Sequence, residues 1–289
     1  MPRREPSSPD GRAGRRTRGR TAWFDPAPPR ILAHRGLALG VPENTIAAFE
    51  KAVAAGACYV ETDVNATADG VAIASHDPGL DRIAGRPDLI ADLTLAELRE
   101  IDLGGGASFA TLAEVLATLP EARFNIDIKS ADAAAPAAAA ILEAGAADRV
   151  LLTSFSSARR RAAVDAVEAG GQHIAASASA AEFVPALVFA KLGLVPLARL
   201  ILRRVDAVQI PTSIYGFSTT TPRIIRRLHR AGVEVHVWTI NDVDVARDLL
   251  ARGVDGIVTD RVDLMLRLGA EGIARADDLP PELGSTRIR

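Results

Sequence analysis

The chain has 289 residues, long for one ordinary domain but a usual size for a single α/β barrel. Hydrophobic residues make up 48% and charged residues 24%, and with aromatics at only 4% the core must be filled by Ala, Val, Leu and Ile. A formal net charge of −2 excludes a global bias toward nucleic acid or anionic membrane, and a single cysteine, Cys58, excludes an internal disulfide.

Residues 1–22 carry seven arginines against Glu5 and Asp10, set among Gly, Pro and Ser. No apolar h-region follows them, which disfavours a secretory signal and points to a cytoplasmic protein. Such a segment cannot bury enough surface to offset its ordering entropy. Residues 1–29 are therefore expected to form a disordered basic tail, ahead of a single domain over 30–270. Residues 271–289, polar and Pro-containing, are expected to be a loose extension.

From residue 30 onward short β-rich runs alternate with helical ones. The expected strands are Ile31–His34, Cys58–Val64, Val71–His76, Arg123–Lys129, Val150–Phe155, His173–Ser177, Ala207–Ile210, Val233–Ile240 and Val254–Thr259. Helical patterns fall between most of them, at Ile46–Ala55, Leu95–Ile101, Leu112–Leu119, Ser157–Ala169, Pro222–Ala231 and Val243–Arg252. Cys58, beside Tyr59 and Val60, reads as a small buried hydrophobe. Alternation over this length implies a parallel sheet with helices outside it. Val64 and Val71 are too close for a parallel crossover, and Asp69-Gly70 is a turn signal, so those two strands form an antiparallel hairpin. Eight strands remain, the number of a (β/α)₈ TIM-type barrel with a β-hairpin after strand two.

Such barrels carry their chemistry at the C-terminal strand ends. Strand one ends in His34-Arg35-Gly36. Strand two carries Glu61 and Asp63 on one face, and strand four carries Asn125, Asp127 and Lys129 on one face, because side chains alternate. Asp63 and His76 are about equidistant from the Asp69-Gly70 turn and are expected to be cross-strand neighbours. Three carboxylates brought together repel unless a cation sits among them, and an all-oxygen set suits Mg²⁺ or Ca²⁺. Ion pairs closing the barrel end are the alternative, which two histidines at separate strand ends do not favour.

Ala33-His34-Arg35-Gly36, Pro42-Glu43-Asn44-Thr45, Glu61-Thr62-Asp63-Val64, Thr67-x-Asp69-Gly70 and His76-Asp77 together resemble the glycerophosphodiester phosphodiesterases. So do Asn125-Ile126-Asp127-Ile128-Lys129, Val237-Trp238-Thr239-Ile240-Asn241 and Gly256-Ile257-Val258-Thr259-Asp260, and the resemblance spans about residues 30 to 268. It implies hydrolysis of a glycerophosphodiester to glycerol 3-phosphate and an alcohol; lysophospholipids are a further substrate class that the apolar stretch 183–202, taken as a lid for an acyl chain, keeps open. By the same resemblance Glu61, Asp63 and Asp127 bind one divalent cation, Mg²⁺ or Ca²⁺, and His34 and His76 serve as general acid and base in either order. Arg35 and Lys129 would hold the phosphate, and Trp238 would pack on the glycerol group or simply fill a barrel layer. The chain departs from the family in having Asp127 where Glu is usual. Sphingomyelinase D-type relatives have Asp there, which keeps a phospholipase of that kind in play. It is also short between His76 and Leu112, with Gly104-Gly105-Gly106, so a more open site is implied. A non-catalytic barrel binding phosphodiesters or a protein is the competing reading, and it would be favoured by a missing acid or histidine; none is missing.

Among the remaining histidines, His236 reads as a core residue, while His173 and His229 read as structural or solvated. Asn44 or Thr45 would cap the helix that follows. The apolar stretch 183–202 is interrupted by Pro185, Lys191, Pro196 and Arg199, which argues against a membrane span. It is expected either to pack as the sixth outer helix or to form a lid with peripheral membrane contact.

Overall fold

The computed structural model describes residues 21–270, so the expectations for residues 1–20 and 271–289 lie outside the described part of the chain. In chain order the strands are β1 (Arg30–His34), β2 (Tyr59–Ala66), β3 (Ala72–Ala74), β4 (Arg123–Ile128), β5 (Val150–Thr153) and β6 (Ala175–Ala176). They continue with β7 (Ala207–Ile210), β8 (Ser213–Ile214), β9 (Phe217–Ser218), β10 (Glu234–Val237) and β11 (Gly256–Thr259). Eight of them pair in parallel along the path β6-β5-β4-β2-β1-β11-β10-β7. A bridge between Ser177 and Ala207, with hydrogen bonds from Ala178 N–H to the Ala207 carbonyl (2.9 Å) and from Asp206 N–H to the Ala176 carbonyl (2.8 Å), brings β6 and β7 together. The result is a (β/α)₈ TIM-type barrel with helices between the strands.

The alternation along each strand divides the side chains between two environments. On β2, Val60 and Val64 pack outward with Phe124, Ile126 and Ile128 of β4 against the helices, and Ile31 and Ala33 of β1 do the same on the other side. Inward face Leu32, Tyr59, Leu151, Ala175, Ala207 and Val258, which fill the lumen together with Trp23 and Phe24. Low aromatic content suits the outer layer, where Ala lets helices sit close to the sheet. In the lumen, Gly256 is needed for a different reason: a Cβ there would stand 2.8 Å from the His236 ring.

The bottom of the barrel corrects one expectation. Residues 21–29 do not belong to a disordered tail. Ala22–Phe24 form a 3-10 turn, and Trp23 is fully buried beneath the strands. Its indole N–H donates to the Phe124 carbonyl (2.9 Å), and the Tyr59 hydroxyl donates to the Trp23 carbonyl (2.9 Å). Arg30, also fully buried, donates to both oxygens of Glu234 (2.8 and 3.0 Å), to the Tyr59 hydroxyl, and to the carbonyls of Pro26 and Phe24. Its guanidinium stands 5.3 Å from the ring centres of Trp23 and Phe24. A buried cation of this kind is tolerated because its donors are satisfied and paired. The aromatic pair Trp23-Phe24 was the sequence signal that the composition of the tail obscured.

Two smaller expectations also change. Cys58 is exposed, because β2 starts one residue later and Cys58 lies in the loop before it. β3 pairs antiparallel to β2 with Val64 opposite Ala74, so Asp63 faces Ser75 and not His76. The Ser75 N–H donates to the Asp63 carbonyl at 2.9 Å, and beyond it the chain leaves the ladder. Asn65 accounts for this exit: its side-chain amide donates to the carbonyls of Ser75, His76 and Asp77 (2.9, 3.4 and 3.4 Å) and bends the segment back over the barrel mouth. The small β8–β9 hairpin after β7 was not among the expected strands.

The stretch 183–202 forms two helices, Ala180–Leu192 and Val195–Leu202, packed against each other and against the helix Pro222–Ala231. No helix among the described residues is long and apolar enough to cross a membrane.

Candidate active site

At the C-terminal strand ends lies a cavity of ≈ 360 Å³, lined by His34, Arg35, Glu61, Asp63, His76, Asp127, Lys129 and Trp238 among others. All eight expected site residues therefore face one space. Its floor is an amide clasp across the lumen, where the Gln209 side-chain amide of β7 donates to Asn125 Oδ1 of β4 at 2.7 Å. Below the clasp His236 is fully buried beside Trp23, the core residue it was expected to be.

Strand register sets the acids. His34 aligns with Glu61 across β1–β2, and Asp63 aligns with Asp127 across β2–β4. Two carboxylates at one level of adjacent strands demand positive charge. Lys129 meets that demand, with its ammonium 2.8 Å from Asp63 Oδ1 and 2.7 Å from Asp127 Oδ2. Arg35 adds its guanidinium 3.1 Å from Asp63 Oδ2, and its backbone N–H donates to Glu61 Oε2 (3.0 Å). Arg35 itself has φ of 57°, and Gly36 follows with φ of 84° against the backbone of Ala48, where a Cβ would come within 2.6 Å. Glycine is the residue that permits this turn, and the turn aims the Arg35 N–H at Glu61.

The protonation pattern follows from burial and neighbours. Burial disfavours ionising Asp63, but the Lys129 ammonium and Arg35 guanidinium outweigh it and hold the carboxyl below its usual range. For Asp127 burial prevails over Lys129, and the group is raised. Burial and the negative charge of Asp63 push Glu61 up to about 8. The site thus carries more carboxylate than its own cations neutralise. Asp127 Oδ1 is buried without a hydrogen-bond partner, which points the same way. Among the described residues no three acidic, imidazole or thiol groups converge in ligating geometry, since Lys129 stands between two of the acids. The donor set, three carboxylates with an unpartnered buried oxygen, nonetheless has the chemistry that a hard divalent cation takes.

Both histidines are braced by carboxylates. His34 Nδ1 lies 2.6 Å from Asp260 Oδ1, and Asp260 is held in turn by the Asn241 amide (2.7 Å). Burial opposes charge on His34, but the Asp260 hydrogen bond and nearby Glu61 outweigh it and raise its pKa above 6.5. His76 Nδ1 lies 2.6 Å from Asp77 Oδ1, and Asp77 is fixed by Arg82, which also donates to Glu43 (2.6 Å). Each brace leaves the Nε2 atom available for the cavity.

Several of these partners had no role assigned from sequence. Asn44 was one of two candidates for a helix cap, yet Thr45 takes that position, accepting from Ala48 N–H. Asn44 is buried instead against β2, donating to Asp63 Oδ2 (3.2 Å) and accepting from the Thr62 hydroxyl (2.8 Å). Asp77, Glu43, Asn241 and Asp260 sat inside the recognised motifs, but spacing alone does not reveal which atom a side chain will hold. Trp238 forms one cavity wall, with its ring edge-to-face against Phe155 at 5.9 Å. His229 lies on an outer helix with its ring nitrogen 2.7 Å from Asp255, and His173 lies near Glu168 on the exterior.

Fold and mouth together place this chain among the barrel phosphodiesterases. Residues 34–264 match the sequence model of the Glycerophosphoryl diester phosphodiesterase family, and the chain belongs to that family. It is 40% identical over 235 residues to a Mycobacterium tuberculosis protein named "Probable glycerophosphodiester phosphodiesterase 2", covering 81% of this chain and 88% of that one. A glycerophosphodiester phosphodiesterase of Caldanaerobacter subterraneus is 29% identical, with 84% of this chain and 98% of the relative covered. Among solved structures, a glycerophosphodiester phosphodiesterase of Thermotoga maritima superposes with a TM-score of 0.63 at 28% identity, over 82% of this chain and 97% of that one. A phosphodiesterase of Oleispira antarctica, solved with its product sn-glycerol-3-phosphate, shares the fold with a TM-score of 0.66 at 23% identity, over 83% and 96% of the two chains. Membership carries the enzyme class: a phosphoric diester hydrolase acting on glycerophosphodiesters.

Proposed function

We propose that the chain hydrolyses glycerophosphodiesters to glycerol 3-phosphate and an alcohol by general acid/base catalysis with one divalent cation, Mg²⁺ or Ca²⁺. The observation that carries this reading is the pair of carboxylate-braced histidines bordering a cavity whose acids exceed its own cations. Glu61, Asp63 and Asp127 would hold the cation, which when bound would polarise the phosphodiester and offset the charge that develops on it. Arg35 and Lys129 contribute positive charge at the same place without reorganising, because their carboxylate partners already fix them. One of His34 and His76 accepts a proton through Nε2 from the attacking water as its oxygen bonds to phosphorus, and the other donates a proton to the alkoxide that departs as its P–O bond breaks. Asp260 and Asp77 hold the rings so that Nδ1 is committed and Nε2 does the transfer. Trp238 and Phe155 supply an apolar wall suited to the glycerol carbons.

A second substrate class is favoured by one observation: Phe183, Val184 and Ile214 extend the cavity wall in apolar material beyond the acids. That wall suits the acyl chain of a lysophospholipid. Release of glycerol 3-phosphate from glycerophosphocholine, and of lysophosphatidate from lysophosphatidylcholine, should be followed with EDTA and after restoring Mg²⁺ or Ca²⁺. Activity should vanish in EDTA, and His34→Ala or His76→Ala should lower kcat by roughly 10²–10⁴. Full turnover in EDTA would remove the cation from the reading, and no turnover of the lysolipid would remove the second substrate.

A further inference from the structure

Large hydrophobic side chains are exposed at thirteen positions in the described residues, and eight of these fall between 184 and 217. Scattered apolar residues need no explanation, but a contiguous group does. The helix Ala180–Leu192 buries Phe183, Ala186, Leu187 and Ala190 and turns Val184, Val188 and Leu192 to the outside. These three are spaced four apart and so form one ridge. Leu197 and Leu200 extend the apolar surface on the next helix. The β8–β9 hairpin adds Tyr215 at 97% exposure and Phe217 at 66%. The Lys191 ammonium lies 4.7 Å from the Phe217 ring centre, which sets the hairpin beside the end of the ridge. Val184 and Ile214 also line the catalytic cavity, so the apolar surface begins at its mouth.

Charge is segregated on the same part of the molecule. Residues 183–232 contain eight lysines and arginines against one acid, Asp206, in a chain whose formal net charge is −2. The contacts of Lys191, Arg199 and Arg227 are to an aromatic ring and to carbonyl oxygens, which leave their positive charges uncancelled. Arg227, for example, donates to the carbonyls of Ala190 and Lys191 at the end of the ridge helix (2.7 and 2.9 Å). An apolar ridge bordered by cations matches a bilayer with anionic headgroups: side chains enter the acyl boundary while the cations stay at phosphate level. A second copy of this chain is a poorer occupant, since a two-fold interface would set the same cationic surface against itself.

We propose that the face formed by residues 184–217 docks on an anionic lipid surface and turns the cavity mouth toward it. The inference rests on exposure and charge and is independent of the catalytic roles assigned above. Co-sedimentation of the full chain with vesicles of phosphatidylcholine alone, and of phosphatidylcholine mixed with phosphatidylglycerol, tests it. Binding should be at least about tenfold tighter to the mixed vesicles and should weaken as salt is raised. The double variant Val188→Glu with Leu192→Glu should lose roughly tenfold or more of that binding at an unchanged thermal midpoint, because both side chains already face water. Wild-type chain that stays in the supernatant with anionic vesicles overturns the proposal whatever the variant does. So does equal binding by the variant, or a wild-type dimer that Leu192→Glu converts to monomer, which would assign the face to a second copy.

Discussion

Asp260 reaches His34 only through the ring nitrogen that does not face Glu61, so in the proposed proton transfer it would act through charge and orientation. Replacing it by Asn removes a negative charge beside the imidazole, and the pKa of His34 should fall. In the pH profile of kcat/KM one limb should therefore shift to lower pH in Asp260→Asn. A shifted acid limb would make His34 the base, a shifted alkaline limb would make it the acid, and an unmoved profile would deny Asp260 this role. At this scale the sequence was partly transparent. Glu61 and Asp63 share a face because a two-residue period is a local property, and the same holds for Asn125, Asp127 and Lys129. The partner of Asp63 was misjudged by one residue, because the amide of Asn65 captures three carbonyls and draws His76 off the ladder. Asn44 was read as one of two candidate helix caps since such residues commonly are; its bond to Asp63 depends on β2 lying behind it, which only the folded chain supplies.

Among the elements, the 3-10 turn Ala22–Phe24 was the largest surprise, since composition assigned it to the tail. Trp23 is an aromatic plug for the lower lumen, touching Tyr59 and Phe24 at ring-centre distances of 5.0 and 4.8 Å. Trp23→Ala should cost roughly 3–5 kcal/mol in unfolding free energy. Urea denaturation would measure this, and a loss below about 1 kcal/mol would mean that the plug is dispensable. KM for glycerophosphocholine should be unchanged, as the indole lies below the Asn125–Gln209 clasp. The helices after β6 show the opposite case. Their hydrophobicity was evident from sequence, and they do pack as an outer layer, but periodicity alone could not say how much of the apolar surface would remain exposed.

For the whole molecule, the eight-strand count came from recognising that Val64 and Val71 cannot be parallel neighbours, a constraint of chain length and not of propensity. The short β6 and the β8–β9 hairpin were less legible, because two-residue strands are defined by their neighbours. The buried ionic network at the barrel bottom gives the fold an acid dependence. Burial opposes the charge on Glu234, yet its hydrogen bonds with His236 and Arg30 hold the carboxyl far below its ordinary value of 4.5. The unfolded chain therefore binds a proton more readily than the folded one. This stabilisation is complete above 4.5 and is lost as pH falls from there toward the lowered folded value. Unfolding free energy, measured by urea between about pH 7 and about pH 3, should decline less steeply in Glu234→Gln than in the wild type. Equal slopes would show that other carboxylates govern acid unfolding.

The amide clasp between Asn125 and Gln209 has a consequence of another kind. It puts a floor under the candidate catalytic cavity, with Glu61, Asp63, Asp127, His34 and His76 above it and, below, an aromatic foundation that also holds the Arg30–Glu234 pair and His236. Each storey can then vary under its own constraint: substitutions above the floor retune what the enzyme accepts, while those beneath it set how firmly the barrel stands. A lineage could exchange substrates without rebuilding its foundation.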